Sequence, residues 1–453
     1  MNRSRTLEGL LSSLLERGSR ALTFVNAGWR DQPIEELCEA LLSQRGEASG
    51  VSMADVVLSR YADLSSEDKL AFFQALAERF DIDGEALRGI AESFASEPDT
   101  AHLVELRVAA EPRRQELLRR LNMAPEGTLR LVRMRADLLG FLKTDPDLRR
   151  VDLDFEHLFS SWFNRGFLVL RPIDWQTPAH ILEKVVAYEA VHAISDWNDL
   201  RRRVQPEDRR CFAFFHPAMA DEPLIFVEVA LTRDVPVSIQ AVLSEEREEL
   251  PENRANTAVF YSISNCQKGL KGVSFGSFLI KQVAADLQAQ LPQLKTFVTL
   301  SPVPGFRRWL DSQAEQQSLA ARGTISRLAV DEWHQDSEKA AALKSELMSL
   351  MASYFLNAKR GDGQPVDAVA RFHLGNGAAL RQINWMADQS AKGIAESAGM
   401  MVNYEYDLGS IEANHEAYAE QRLIKTTSRV RGLLQGRSST PARDNGHDVS
   451  SAV

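Results

Sequence analysis

The sequence is poor in cysteine. Only Cys38, Cys211 and Cys266 occur among 453 residues, with no CxxC pair and no Cys/His ladder. That odd, scattered set excludes a disulfide framework, argues against a zinc site and points to a reducing compartment. Positive charge is also in deficit, since 53 Lys and Arg against 63 Asp and Glu leave a formal net charge of −10. Generic nucleic-acid binding needs a basic footprint across a domain, so that class is set aside, and any anionic ligand must be met by local cations. Long apolar runs are missing too. No window approaches the ~18 apolar residues of a membrane span, and the best candidate, PLIFVEVALT, is interrupted by Glu228. The opening MNRSRTLEGLLSSLLERGSR has too short an apolar run for a signal peptide and regains charge at Glu8, so it reads as an ordinary first helix. The closing SSAV matches no address or anchor.

What remains is ordinary globular material, 44% apolar and 26% charged, enough for a core without disulfide or metal staples. The pattern divides the chain into a helical domain over residues 1–160, a mixed α/β domain over 161–435 and a polar, disordered tail over 436–453. In the first part Leu7, Leu10, Leu11, Leu14 and Leu15 form one helical stripe. Ser65, three residues before Asp68, opens a helix whose Leu70, Phe73, Ala77 and Phe80 share a face. No catalytic constellation stands out there, which leaves a packing or oligomerisation role. Beyond FSSWFNRGFLVLRPIDW the texture changes. CFAFFHP, PLIFVEVALT, TAVFYSIS and TFVTLSP have strand length and turn residues at their ends. Helical patterns cover 178–192, 277–291, 339–358 and 412–434.

One loop in this second part invites a ligand. Strand 257–264 is followed by SNCQKGLKGVSFGSF, with glycines at 269, 272 and 276, and then by helix 277–291. Such a loop delivers the first N–H groups of a helix to an anion, with the positive end of the helix dipole behind them. Glycine permits close approach, Lys268 and Lys271 add charge, and Ser277 can cap the helix. The spacing fits neither GxxxxGK[ST] nor GxGxxG. It does fit the pyrophosphate loop of the GNAT acetyltransferase superfamily, which binds coenzyme A. A glycine-rich turn that only joins strand to helix is the alternative.

Four ordered stretches sharpen this: AVFYSISNCQKGLKGVSFGSFLIKQV, VTLSPVPGFRRWL, ARFHLGNGAALRQINWMAD and GMMVNYEYDL. Together they closely resemble the malonyl-CoA decarboxylase family, from about Trp162 to about Val430. Over the N-terminal helices only length and helical character agree. The resemblance implies an α+β protein of two domains, an N-terminal all-α helical bundle followed by a GNAT-like mixed α/β domain. It implies conversion of malonyl-CoA to acetyl-CoA and carbon dioxide, without metal or organic cofactor, coenzyme A being part of substrate and product. The family's serine and histidine fall on Ser301 and His373, and a site-associated tyrosine on Tyr406. The acyl-CoA loop falls on Lys271, Gly272, Val273, Ser274, Phe275, Gly276 and Ser277. Eukaryotic members carry a glutamate where this chain has Ser274 and end in a peroxisomal tripeptide absent here, which fits a bacterial, cytoplasmic enzyme. No nucleic-acid or membrane partner is expected, and a homodimer or homotetramer is.

The chemistry gives these residues work. Loss of carbon dioxide from a malonyl thioester leaves an enolate that needs one proton. His373 suits the donor because imidazole changes charge near neutral pH. Ser301 can hold the carboxylate out of the thioester plane without acting as a nucleophile. Taken alone, His373 beside Phe372 and Leu374 reads as a packed core histidine and Ser301 before Pro302 as a strand end. The resemblance reverses both readings. Tyr406 stays open between packing and catalysis. His216 in FFHP is read as structural, and Arg307 and Arg308 as solvated. An acyl-CoA-dependent N-acyltransferase and a non-catalytic acyl-CoA-binding module are the competing functions.

Overall fold

The computed structural model describes residues 32–43, 46–273, 278–315, 319–330 and 332–435. The leucine stripe at positions 7 to 15, the helix cap at Ser277 and the tail lie outside the described residues. The chain forms two compact units. One comprises Met1–Val169, Phe214–Leu224 and Asn265–Phe275; the other comprises Leu170–Ala213, Ile225–Ser264 and Gly276–Val453. Two short segments from far along the sequence therefore cluster with the N-terminal helices.

The first unit contains α1 (Ile34–Ser43), α2 (Glu47–Asp63), α3 (Ser66–Glu78), α4 (Gly84–Ser96), α5 (Thr100–Ala109), α6 (Arg113–Leu121), α7 (Gly127–Phe141) and α8 (Arg149–Trp162). Helix α3 starts where its cap requires, with Ser65 Oγ accepting from Asp68 N. Phe72, Phe73, Leu76 and Ala77 are then buried, and Phe80 just beyond the helix is buried with them. Helix α7 ends at Phe141, ahead of Pro146, which opens a short 3-10 turn. Met219, Leu224, Leu270 and Val273, from the two late segments, join the same core as Leu131, Val132, Phe155 and Phe159.

The second unit holds β1 (Val169–Ile173), α9 (Ala179–Tyr188), α10 (Trp197–Val204), β2 (Arg209–Phe215), β3 (Pro223–Thr232), α11 (Ile239–Leu243) and β4 (Thr257–Asn265), strand ends excepted. There follow α12 (Phe278–Gln290), β5 (Thr296–Thr299), β6 (Ser301–Pro302), α13 (Phe306–Glu315), α14 (Leu319–Leu328), α15 (Ser337–Leu356), α16 (Ala368–Gly375), β7 (Ala379–Asn384), α17 (Ala391–Ser397), β8 (Met401–Glu405), α18 (Ile411–Gln421) and α19 (Ser428–Gln435). Among the described residues the sheet runs β1-β2-β3-β4-β5-β8-β6, with β7 on β8. Strand β3 is buried over nine of its ten positions, as its unbroken apolar run demands. Strands β4 and β5 pair in parallel with α12 between them in sequence, and β8 runs antiparallel to β5, β6 and β7. This is the mixed α/β domain that the strand and helix patterns imply.

One helical expectation needs correcting. The pattern over 412–434 is two helices, broken at Arg422 in the left-handed region with φ 56°. The residues between reach the sheet: Leu380 N donates to Lys425 O, and Leu380 bridges Thr426. Backbone pairing with β7 outweighs one continuous amphipathic helix there. Among the described residues no helix is long and apolar enough to cross a membrane, and no disulfide links the three buried cysteines.

Candidate active site

Strand β5 pairs with β4 as far as Thr299, where Leu300 N donates to Phe260 O. The chain then leaves β4, and Ser301 pairs with Val402 on β8. Ser301 thus sits where the two parallel strands part, held from the β8 side. Its hydroxyl is 2.8 Å from Thr299 Oγ1 and 3.1 Å from His373 Nε2.

His373 arrives from another direction. Asp367 caps α16 by accepting from Ala370 N, which fixes where this eight-residue helix begins and puts His373 in its last turn. The ring lies on Tyr404, centroids 4.5 Å apart and planes 24° apart. Its Nδ1 is 2.7 Å from the Tyr406 hydroxyl. Ser301, His373 and Tyr406, far apart in sequence, therefore form one hydrogen-bonded chain. They are 5%, 3% and 1% exposed, so water is largely excluded.

Burial sets the protonation of this chain. It pulls the His373 imidazole down to about 3 and lifts the Tyr406 phenol well above its ordinary value. The expectation of a histidine that changes charge near neutrality is corrected: His373 is neutral there, because its contacts contain no carboxylate to offset desolvation. A neutral ring carries one N–H, and the hydrogen-bond network assigns it. Ser301 donates to Thr299 Oγ1, leaving its lone pairs for His373 Nε2–H. Nδ1 then accepts from the Tyr406 O–H.

Thr299, Asn403 and Tyr404 escape a reading of sequence alone. Thr299 Oγ1 accepts both Ser301 Oγ–H and Tyr404 N–H. Asn403 Nδ2 donates to Thr299 O at 2.6 Å and is itself tied to Asn384, whose partner is Gln382. The signal available was spacing: Thr299 and Tyr404 each stand two residues from a named site residue along a strand.

The glycine loop belongs to the first unit as far as Phe275. Lys271 and Gly272 are exposed, Val273 is buried, and Ser274, Phe275, Gly276 and Ser277 lie outside the described residues. Gly272 has φ +85°, a conformation that favours glycine. A Cβ on Gly269 would stand 1.8 Å from Val132 O, so only glycine permits this approach to α7. Arg135 of α7, wholly buried, holds the loop by its carbonyls. Its Nη1 donates to Gly269 O at 2.8 Å and Lys271 O at 2.9 Å, and Nε donates to Asp152 at 2.7 Å. Nη2 reaches Glu156 at 3.0 Å. The sequence hint was an arginine on the apolar stripe of Leu131, Val132 and Leu138.

His216 is structural, as expected: Nε2 is 3.1 Å from Trp162 O and Nδ1 accepts from Ala218 N. Among the described residues no group of three or more His, Cys, Asp or Glu side chains is arranged to hold a metal ion.

Sheet order and the helical N-terminal region make this a two-part α+β protein. Comparisons with known proteins carry the assignment further. A model of the malonyl-CoA decarboxylase C-terminal domain matches residues 166–444, and one of the N-terminal domain matches residues 80–163. The mitochondrial malonyl-CoA decarboxylase of Mus musculus is 36% identical over 398 residues, covering 79% of this chain and 80% of that protein. The crystal structure of malonyl-CoA decarboxylase from Rhodopseudomonas palustris is 53% identical with a TM-score of 0.85, covering 88% of this chain and 98% of that one. That from Agrobacterium vitis is 52% identical with a TM-score of 0.85, covering 88% and 99%. The chain belongs to the malonyl-CoA decarboxylase family.

Proposed function

We propose that this protein decarboxylates malonyl-CoA to acetyl-CoA and carbon dioxide, and that Ser301, His373 and Tyr406 carry the reaction. The observation that supports the reading is the buried Tyr406–His373–Ser301 hydrogen-bonded chain in a member of this family. Ser301 turns its hydroxyl from Thr299 to the malonyl carboxylate and sets that group out of the thioester plane. The bond to the carboxylate carbon breaks, and its electron pair moves into the thioester carbonyl. The resulting enolate carbon takes the Nε2 proton of His373 while Nδ1 takes the phenolic proton of Tyr406; return of the Nδ1 proton to Tyr406 and a proton from solvent on Nε2 restore the starting state. Among the described residues no ionised side chain contacts this hydrogen-bonded chain, so a localised carboxylate charge is poorly solvated there and the delocalised charge of the departing state less so.

The loop from Lys271 to Ser277 holds the coenzyme phosphates in this reading. The protein works as a cytoplasmic homodimer or homotetramer and uses neither metal nor organic cofactor. Purified protein given malonyl-CoA without an acceptor is expected to release acetyl-CoA and carbon dioxide in proportion to enzyme, undiminished after exhaustive chelation. Coenzyme release only with an added amine would replace the reading with acyl transfer. Tight binding without turnover would replace it with a binding module.

A further inference from the structure

A cavity of about 900 Å³ opens in the second unit beside the start of α13. Its volume lies within the roughly 300–1,000 Å³ of small-molecule sites. Arg308, Lys359 and Arg371 line it, together with Trp309, Tyr354 and Asp367. Among the described residues none of the three cations forms a salt bridge. Arg371 spends one nitrogen, Nη1, on the carbonyls of Pro365 and Val366. Partial burial draws the Lys359 ammonium below its ordinary value.

The one carboxylate in the wall does little to offset them. Asp367 is 1% exposed and already engaged, Oδ1 accepting from Ala370 N and Oδ2 from Tyr354 O–H at 3.2 Å. Burial raises its carboxyl above the usual range, and its hydrogen bonds and the Arg371 charge act against that rise. In a chain of net charge −10, three cations thus share a concavity with a single carboxylate. A concavity lined by one sign of charge raises the local concentration of counter-ions. Arginine forks match phosphate oxygens, and Trp309 in the same wall offers a flat ring to an aromatic group.

We propose that this cavity binds a phosphate-bearing, nucleotide-class anion, its phosphate on Arg308, Lys359 and Arg371. The site has a physical connection to the reacting histidine. Helix α16 carries Asp367 at its start and His373 at its end. Ring contacts run from Trp309 to Tyr354 at 5.1 Å, then through Phe355 and Tyr404 to His373. Two sources share the ligand chemistry: the nucleotide end of the coenzyme itself, and a separate free nucleotide.

Calorimetry with 3′,5′-ADP and with pyrophosphate on the full-length protein tests the proposal without any activity assay. Failure of the decarboxylase reading would therefore leave it standing, and the converse also holds. Wild-type binding is expected, weakened about tenfold or more in Arg308→Ala and in Arg371→Ala and further in Lys359→Glu. Arg308→Lys should recover part of the loss if charge is what counts. No binding at millimolar ligand, or equal binding by wild type and all three variants with native circular dichroism, overturns the proposal. Inhibition by 3′,5′-ADP that is competitive with malonyl-CoA and weakened in the same three variants assigns the cavity to the coenzyme's own nucleotide. A changed rate at saturating malonyl-CoA assigns it to a separate effector.

Discussion

Each unit buries a polar network at its centre, and the two are built on opposite electrostatic plans. Around Arg135 every partner is charged or a carbonyl dipole: Asp152, Glu156, Gly269 O and Lys271 O. Around His373 every partner is a neutral hydroxyl or an aromatic ring. Full charges withstand burial where each has a counter-charge and filled hydrogen-bond valences, and such a network fixes backbone. Neutral groups keep protons that can move and leave the field weak, so a charged substrate becomes the strongest ion present. Anchoring favours the first plan and proton transfer the second.

Breaking the ionic network should have the largest effect. Arg135→Ala leaves buried Asp152 with Arg149 alone and the Gly269 and Lys271 carbonyls without their donor, and a loss of about 3 kcal/mol of stability is expected by chemical denaturation. If the loss stays below ~1 kcal/mol, the network is not the anchor described here. Cutting the neutral chain comes next. Ser301→Ala and His373→Asn are expected to lose on the order of 10²-fold in turnover, about 2.7 kcal/mol on the barrier, with unchanged circular dichroism. Near-wild-type turnover in either variant would remove its assigned role. Tyr406→Phe keeps the ring and deletes the proton that Nδ1 accepts, so a loss of roughly tenfold in kcat with little change in KM is expected.

The last effect concerns pH, and it separates the two plans most cleanly. His373 has a folded-state value of about 3 against an ordinary 6.5. Between those values the unfolded chain binds the proton and the folded chain does not, so stability falls as pH drops from about 6.5 toward 3. His192, pulled down to about 4 by burial, adds to the same window. His373→Asn should flatten this slope in pH-dependent denaturation while leaving the His192 contribution. Turnover itself should show no ionisation near pH 6.5. A kcat that falls on titrating a group of that value would mean the working histidine is cationic.

Sequence made some of this legible. PLIFVEVALT is a strand over all ten residues because continuous burial leaves one reading of such a run. Ser65 marks its helix start because a cap is a local contract between a side chain and a nearby N–H. Strands β7 and β8 were not legible. ALRQIN and MVNYE carry Gln382, Asn384 and Asn403 inside, where amides look like turn material until each finds the next as partner. Arg135 hid for the same reason, since its partners arrive from residues 269 and 271. Ser301 and His373 were found through family motifs. That His373 would be neutral depends on burial by Tyr404 and its surroundings, which no local pattern encodes.

The threading of the first unit has a consequence for synthesis on the ribosome. Its hydrophobic core takes Met219, Leu224, Leu270 and Val273 from segments emerging long after α8. A nascent chain halted after residue 169 would have its helices and lack that part of the interior, with Arg135 facing no carbonyls. The helical unit cannot close until about residue 275 has left the tunnel, by which time much of the sheet has also been made. Completion of the two units is thus coupled in time, and a fragment cut between them would leave apolar surface exposed for chaperones to cover.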